Sequence, residues 1–361
     1  MYTTFPKAIR IVLFVSALGL FHIESRGAEP PGPVREQPLQ VIILAGQSNA
    51  VGYGANASQL PPELYAPQND VLLWYEEGPI NSIHNPARRI NSGGLFVPLR
   101  YQTDTSYGTF GGVTNGFGPE IKLGRDTQDA PGHDVAIIKF AIDATSLAVD
   151  WDPDAADSLY QQMIPRVNDA LARLVAEGYA PQVRACAWMQ GEWDARNAAD
   201  AGHYAANLTE FIARLRTDLS APDMGFVIGR LNSEIWRSFA GISQANLATV
   251  RAEQWTVAAA VPQTLLVDTD DVPQQSDHLH YSAAGQVELG ARFAEACWAL
   301  TGVRGDLDAD GVQDANDWAL LGDCFSGPDV LIEPGCYAGD LAGGSDVDLA
   351  DFAEFQALFG Y

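Results

Sequence analysis

Three residues of this chain have types that suit nucleophilic ester chemistry. Ser48 stands in Gly46-Gln47-Ser48-Asn49-Ala50, directly after an apolar run at residues 39–45 (LQVIILA). A serine at the end of a buried strand, beside a glycine, sits on a turn with its hydroxyl at the sheet edge. Its own N–H then lies near a helix start, where it can donate to an oxyanion. Alone, the same pattern also describes a helix N-cap serine. A serine nucleophile needs a base, and the base needs an orienting group. Of the six histidines, His280 is placed for this, in Asp277-His278-Leu279-His280. Asp277, three residues earlier, can reach one ring nitrogen and leave the other to face the serine. His278 is the competing base, but residue 275, at the equivalent spacing, is Gln rather than a carboxylate. A third group, Trp188-Met189-Gln190-Gly191-Glu192-Trp193-Asp194, follows another apolar run. The Gln190 amide can donate to an oxyanion, while Glu192 and Asp194 read best as capping acids.

The elements that must position these residues alternate. Strand-like runs cover residues 39–45, 71–75, 134–141, 183–189, 225–231 and 264–267. Helical patterns fall between them at 158–177, 198–219 and 243–259, and a closing helix spans 282–299. This order predicts an α/β fold with a parallel sheet covered on both faces. Ligands of such sheets bind beyond the carboxyl ends of the strands, where Ser48, Gln190 and His280 all fall. Residues 78–118 are rich in Gly, Asn, Ser, Thr and Tyr with little periodicity, and read as a long loop that walls a substrate cleft.

The three motifs together resemble the SGNH hydrolases. The branch with sialate O-acetylesterases and acetylxylan esterases (carbohydrate esterase family 6) is the most similar. The resemblance rests on Gly-Gln-Ser-Asn, Trp-x-Gln-Gly-Glu-x-Asp, and Asp-x-x-His followed by Gly285 and Leu289-Gly290-x-Arg292. Residues 116–120 and 139–151 resemble the branch too, and the whole match covers about residues 39–300. It implies a flavodoxin-like three-layer α/β/α sandwich and deacetylation of acetylated polysaccharide or oligosaccharide. Ser48 is then the nucleophile, His280 the base and acid, and Asp277 its orienter, with no cofactor for catalysis. The oxyanion hole would use the Ser48 N–H, the Asp143 N–H and the Gln190 side chain. The branch has Gly-Gly where this chain has Asp143-Ala144. If that turn shifts, one donor is lost, at about a hundred- to a thousandfold in rate. A catalytically weak or inactive carbohydrate-binding or adhesion protein is the alternative.

The 361 residues carry a formal net charge of -25, which excludes phosphate-backbone ligands and so nucleic acid. Residues 305–361 hold thirteen Asp or Glu and no Lys or Arg. Within them, Asp306, Asp308, Asp310, Asp314 and Asp317 occupy positions 1, 3, 5, 9 and 12 of a loop with Gly311 at 6. That is the spacing of a calcium loop, with the Val312 carbonyl at position 7. A second copy at residues 340–351 has Ala342 and Gly344 at positions 3 and 5, and is expected to bind calcium weakly or not at all. The pair resembles a dockerin type I module, a small all-α EF-hand-like unit over 301–361, which implies a cohesin-like scaffold partner.

The first residues read as a secretory signal: Lys7 and Arg10, an apolar stretch over 11–23, and small residues for cleavage after Gly27. An uncleaved anchor is the alternative. Residues 28–38 read as a linker, and no later stretch is apolar enough to span a bilayer. The expected location is secreted, cell-surface or periplasmic. In an oxidising compartment Cys324 and Cys336 would form a disulfide, leaving Cys186 and Cys297 as the remaining pair.

Overall fold

The computed structural model describes residues 37–102, 115–130 and 134–358. The signal stretch and nearly all of the linker lie outside them. The last two linker residues do not: Gln37 and Pro38 open the first strand.

The strands are β1 (Gln37–Gly46), β2 (Gln68–Gly78), β3 (Ile90–Asn91), β4 (Val97–Leu99), β5 (Asp134–Ile142), β6 (Tyr179–Met189), β7 (Gly225–Gly229) and β8 (Thr264–Val267). They form one sheet in the order β3-β2-β5-β1-β6-β7-β8, with β4 beside β2. β2, β5, β1, β6, β7 and β8 are parallel, and only the short β3 and β4 run against them. The carboxyl-terminal halves of the central strands are buried because both faces of the sheet are covered. Residues 41–45 of β1 are buried without exception.

The named helices are α1 (Ser48–Val51), α2 (Glu120–Asp129), α3 (Leu159–Ala176), α4 (Tyr204–Asp218), α5 (Gln244–Ala260), α6 (Ala283–Thr301), α7 (Ala315–Cys324) and α8 (Leu349–Leu358). Alternation along the strands sorts the core into two layers. Trp188 and Phe226 meet Phe211 of α4, at ring-centroid distances of 4.7 and 6.3 Å, with Trp151 and Phe140 alongside. On the other face α6 and α2 cross closely. A Cβ on Gly290 would stand 2.4 Å from the Pro119 carbonyl oxygen, so only glycine allows the approach.

Serine side chains start three of these helices. Ser158, Ser243 and Ser282 accept from the N–H groups of Gln161, Asn246 and Gly285 at 3.1–3.2 Å. The helical pattern expected over 198–219 is broken at His203 into a short turn, Ala198–Gly202, and α4. Gly202 is a poor helix former, and the break lets Tyr204 turn inward under β6.

The C-terminal residues pack on α6 rather than standing apart. Tyr337 is buried, and Glu295 of α6 accepts from the N–H groups of Gly335 and Tyr337 at 2.7 and 3.4 Å. Cys324 and Cys336 form the expected disulfide. Cys186 of β6 and Cys297 of α6 do not pair: both are buried free thiols. Burial pushes both thiols well above their ordinary range, Cys297 to about 12, so they behave as inert core groups.

Candidate active site

β1 ends at Gly46, whose φ of +138° and tight approach to β6 exclude a side chain. A Cβ there would lie 2.1 Å from the Met189 carbonyl oxygen. The chain then turns, the Gln47 N–H donating to that same oxygen at 3.0 Å, and α1 begins at Ser48. The N-cap of α1 is Gln47, whose side chain makes no capping bond. Ser48 is therefore not a capping serine. It is 2% exposed and lines a cavity of about 340 Å³ at the carboxyl end of the sheet. Its N–H belongs to the leading turn of α1, which has no intrahelical acceptor.

His280 lines the same cavity. Its Nδ1 lies 2.6 Å from Asp277 Oδ2, while Asp277 Oδ1 accepts from the N–H groups of Leu279 and His280, each at 3.0 Å. Burial alone would raise the Asp277 carboxyl. The hydrogen bonds from the His280 ring and the two backbone N–H groups outweigh it and hold the group down at about 2. An ionised Asp277 fixes the proton on Nδ1 and leaves Nε2 to accept one. Tyr53 stacks on the ring at 4.2 Å between centroids. His278, the competing base, takes φ +54° and does not line the cavity. Gln275, at the spacing where His278 would need a carboxylate, instead donates to the Tyr53 and Tyr281 carbonyls at 2.7 and 3.0 Å.

Two expected oxyanion donors are engaged elsewhere. The Asp143 N–H donates to the Gly78 carbonyl at 2.9 Å, extending the β2–β5 pairing by one residue. Asp143 lines the cavity, and its carboxyl group acts on two other lining residues, His280 and Tyr53. Gln190 is fully buried behind the wall: its Nε2 donates to Asp194 Oδ2 at 2.6 Å and to the Thr145 carbonyl at 2.8 Å. Its Oε1 accepts from Tyr204 at 3.1 Å. Gln190 thus fixes the loop after β5 from behind, because Asp194 and Thr145 offer its amide fixed acceptors. Asp194 also accepts from Leu147 and Ala148 N–H at 2.9 and 3.0 Å, so it holds the loop after β5 instead of capping a helix. The loop at 78–118 adds no residue to the cavity lining among the described residues. Its described part supplies β3, β4 and the buried Phe117, whose backbone presses against Gly52 after α1.

Residues 38–299 match the family described as carbohydrate esterase, sialic acid-specific acetylesterase. The chain belongs to this family. The esterase is 25% identical over 259 residues to a probable carbohydrate esterase of Arabidopsis thaliana, covering 72% of its own length and 90% of that relative. Its fold is similar to that of an Arabidopsis thaliana protein, with TM-score 0.54, 23% identity, and 73% and 99% of the two chains covered. It is also similar to a carbohydrate acetylesterase from Xanthomonas citri, with TM-score 0.51 and 18% identity over 73% of this chain and 56% of that one. The enzyme is a carboxylic ester hydrolase of the carbohydrate acetylesterase type.

Two supports of the esterase site carry no local sequence signal. Asn49 bridges the Ser48 turn to the histidine loop: its Nδ2 donates to Glu192 Oε1 at 2.8 Å and the Leu279 carbonyl at 3.0 Å, and its Oδ1 accepts from Tyr281 N–H at 3.0 Å. Both neighbours of His280 in sequence are thus tied to the neighbour of Ser48. Glu192 is held in this bridge instead of capping a helix. Beneath α1, the buried Lys139 ammonium meets Glu77 at 2.7 Å, Glu120 at 2.9 Å and the Val51 carbonyl at 2.8 Å. The charge is paired on both sides, and its third donor ends α1 at a fixed height. Around the mouth, Phe239 is 80% exposed and the Arg196 guanidinium rests 4.0 Å over the Trp193 ring.

Proposed function

We propose that this esterase removes O-acetyl groups from carbohydrate through an acetyl-enzyme on Ser48. The observation that carries the reading is His280 held by Asp277 at 2.6 Å in a cavity it shares with Ser48. Ser48 Oγ attacks the acetyl carbonyl while its proton passes to His280 Nε2. The Ser48 N–H, at the leading turn of α1, receives the oxyanion. The tetrahedral adduct then breaks its bond to the sugar oxygen, which leaves with the proton from His280. Water attacks the acetyl-enzyme, gives a proton to His280, and acetate departs as Ser48 regains it. Asp277 stays ionised throughout and stabilises the imidazolium. Phe239 and Trp193 offer apolar faces at the mouth against which a sugar ring can lie.

The test is acetate release from acetylated xylan by the protein and by its Ser48→Ala variant. Release that disappears in the variant supports the reading. Binding of the glycan without release by either protein would favour a carbohydrate-binding role, for which the engaged Asp143 N–H is the supporting observation.

Export is proposed as well, supported by the basic and apolar N-terminal residues and by the Cys324–Cys336 disulfide. No helix among the described residues is long and apolar enough to cross a membrane. For the C-terminal segment, calcium is the ion its acids would suit. Carboxylate oxygens of Asp306, Asp308 and Asp310 lie within 4.8 Å of one another, and Asp306 and Asp317 are fully buried. The Val312 carbonyl and Asp317 would complete the set. Asp346, Asp348 and Asp351 of the second loop converge equally closely despite Ala342 and Gly344, so that loop too has carboxylates to offer. Calorimetric titration with calcium, alone and after Asp306→Ala, tests this. A cohesin-like scaffold is the partner the dockerin resemblance points to, and a binding assay against one tests it.

A further inference from the structure

In the sheet, β1 lies between β5 and β6, with Gly46 opposite both Ala141 and Met189. The residues just beyond those two neighbouring strands therefore flank Ser48, and both flanks carry an acid. Asp143 follows β5 and Glu192 follows β6, and both line the cavity. Asp143 is 7% exposed and Glu192 2%. Neither is ion-paired to a Lys or Arg among the described residues. Glu192 spends one oxygen on Asn49, and its Oε2 is buried without a hydrogen-bond partner. Arg196 is the cation of the lining among the described residues, and it is exposed, stacked on Trp193.

We infer that the cavity selects uncharged O-acetyl sugars over acidic ones, with Asp143 as the residue that repels a substrate carboxylate. The inference rests on the esterase reading above and names its substrate class. A sugar whose acetyl carbonyl reaches Ser48 has its ring within several ångströms of both flanking carboxyls. A like charge at that range beside a largely buried carboxylate is disfavoured roughly ten- to a hundredfold. Arg196 opposes this only weakly, since an exposed cation at the rim is screened by water and salt. Burial, the largest influence on it, raises the Asp143 carboxyl to about 6. The groups that act on it are His280, with Asp277 behind it, and Tyr53, while Glu192 and Arg196 share the cavity lining. Asp143 is thus ionised at neutral pH and protonates as pH falls through about 6, so the selection weakens toward pH 5.

The test uses two ligands that differ only in charge: an O-acetylated sialic acid and its carboxyl methyl ester. Each competes against 4-nitrophenyl acetate on the full chain, which reads affinity whether or not the sugar is itself deacetylated. At pH 7.5 the methyl ester is expected to bind at least about tenfold tighter, and the ratio to fall toward one in Asp143→Asn and at pH 5. The ratio cancels any common loss of activity in the variant. Equal affinities in the unaltered protein overturn the inference. So does tighter binding of the free acid, and its loss in Arg196→Gln would assign carboxylate recognition to Arg196. Ser48-dependent turnover of 4-nitrophenyl acetate without discrimination removes this inference alone. Absence of that turnover removes the esterase reading, and this inference with it.

Discussion

Replacing Asn49 by alanine cuts the bridge between the Ser48 turn and the histidine loop. Three hydrogen bonds go, those to Glu192, the Leu279 carbonyl and the Tyr281 N–H, at 2.8, 3.0 and 3.0 Å. Glu192 is then left with neither carboxylate oxygen satisfied, because its Oε2 already lacks a partner. Each orphaned buried group costs about 1–3 kcal/mol, though water entering from the cavity recovers part of that. The expected loss is about 2–4 kcal/mol. In thermal unfolding this corresponds to roughly 3–5 °C. The larger effect falls on catalysis. His280 is flanked by the two tied residues, and a shift of about 1 Å at the base costs on the order of a hundredfold in kcat/KM. The pairing Asn49→Ala with Glu192→Ala separates the two consequences. Removing the orphaned carboxyl should restore about 1–2 kcal/mol of stability while kcat/KM stays low. If Asn49→Ala keeps its melting temperature and loses less than about twofold in kcat/KM, the bridge does not hold the histidine loop, and this part of the account fails.

Other outcomes follow from the same geometry. Asp277→Asn should lower kcat/KM by up to about 10⁴-fold with little change in KM, because the imidazole loses its fixed tautomer; steady-state kinetics on 4-nitrophenyl acetate read this. Asp277 is depressed from its ordinary 3.8 to about 2, so the stability it contributes is complete above pH 4 and lost as pH falls toward 2. Acid unfolding of the Asn variant should lack that share of the transition. Lys139→Met leaves Glu77 and Glu120 buried without their cation, a loss of about 3–5 kcal/mol by denaturant unfolding. Removing both carboxylates together with the lysine should recover much of it. Phe239→Ala should raise KM for acetylated xylan several-fold and leave 4-nitrophenyl acetate unaffected. Equal effects on both substrates would contradict a sugar-facing role.

The sheet, the edge position of Ser48 and the pairing of Asp277 with His280 were legible because each depends on short-range signals. Apolar runs bounded by turns mark buried parallel strands, and residues that follow them must stand at the carboxyl edge. Asp277 and His280 are three apart on one turn, so their pairing needs no distant information. The orientation of Gln190 was not legible: it depends on Asp194, Thr145 and Tyr204, which only the fold brings around its amide. The Asp143 N–H was lost to Gly78 for the same reason, since a strand's partner is a tertiary fact. Asn49 stood inside a motif without a role because its partners lie 143 and 230 residues away. The strands β3 and β4 are too short for any period to show. The cysteines Cys186 and Cys297 read as a pair by elimination, and burial as free thiols leaves no trace in spacing.

The central claim is that Ser48 is the nucleophile of this esterase. Treatment with a fluorophosphonate, followed by peptide mapping, tests it most directly, because the reagent reacts far faster with a serine activated by its own base than with other side chains. The account predicts one phosphonyl group on the peptide that carries Ser48, loss of acetate release in step with labelling, and no labelling of Ser48→Ala or His280→Ala. Acetate release that survives complete labelling of Ser48, or a label on another serine that abolishes release, would contradict it.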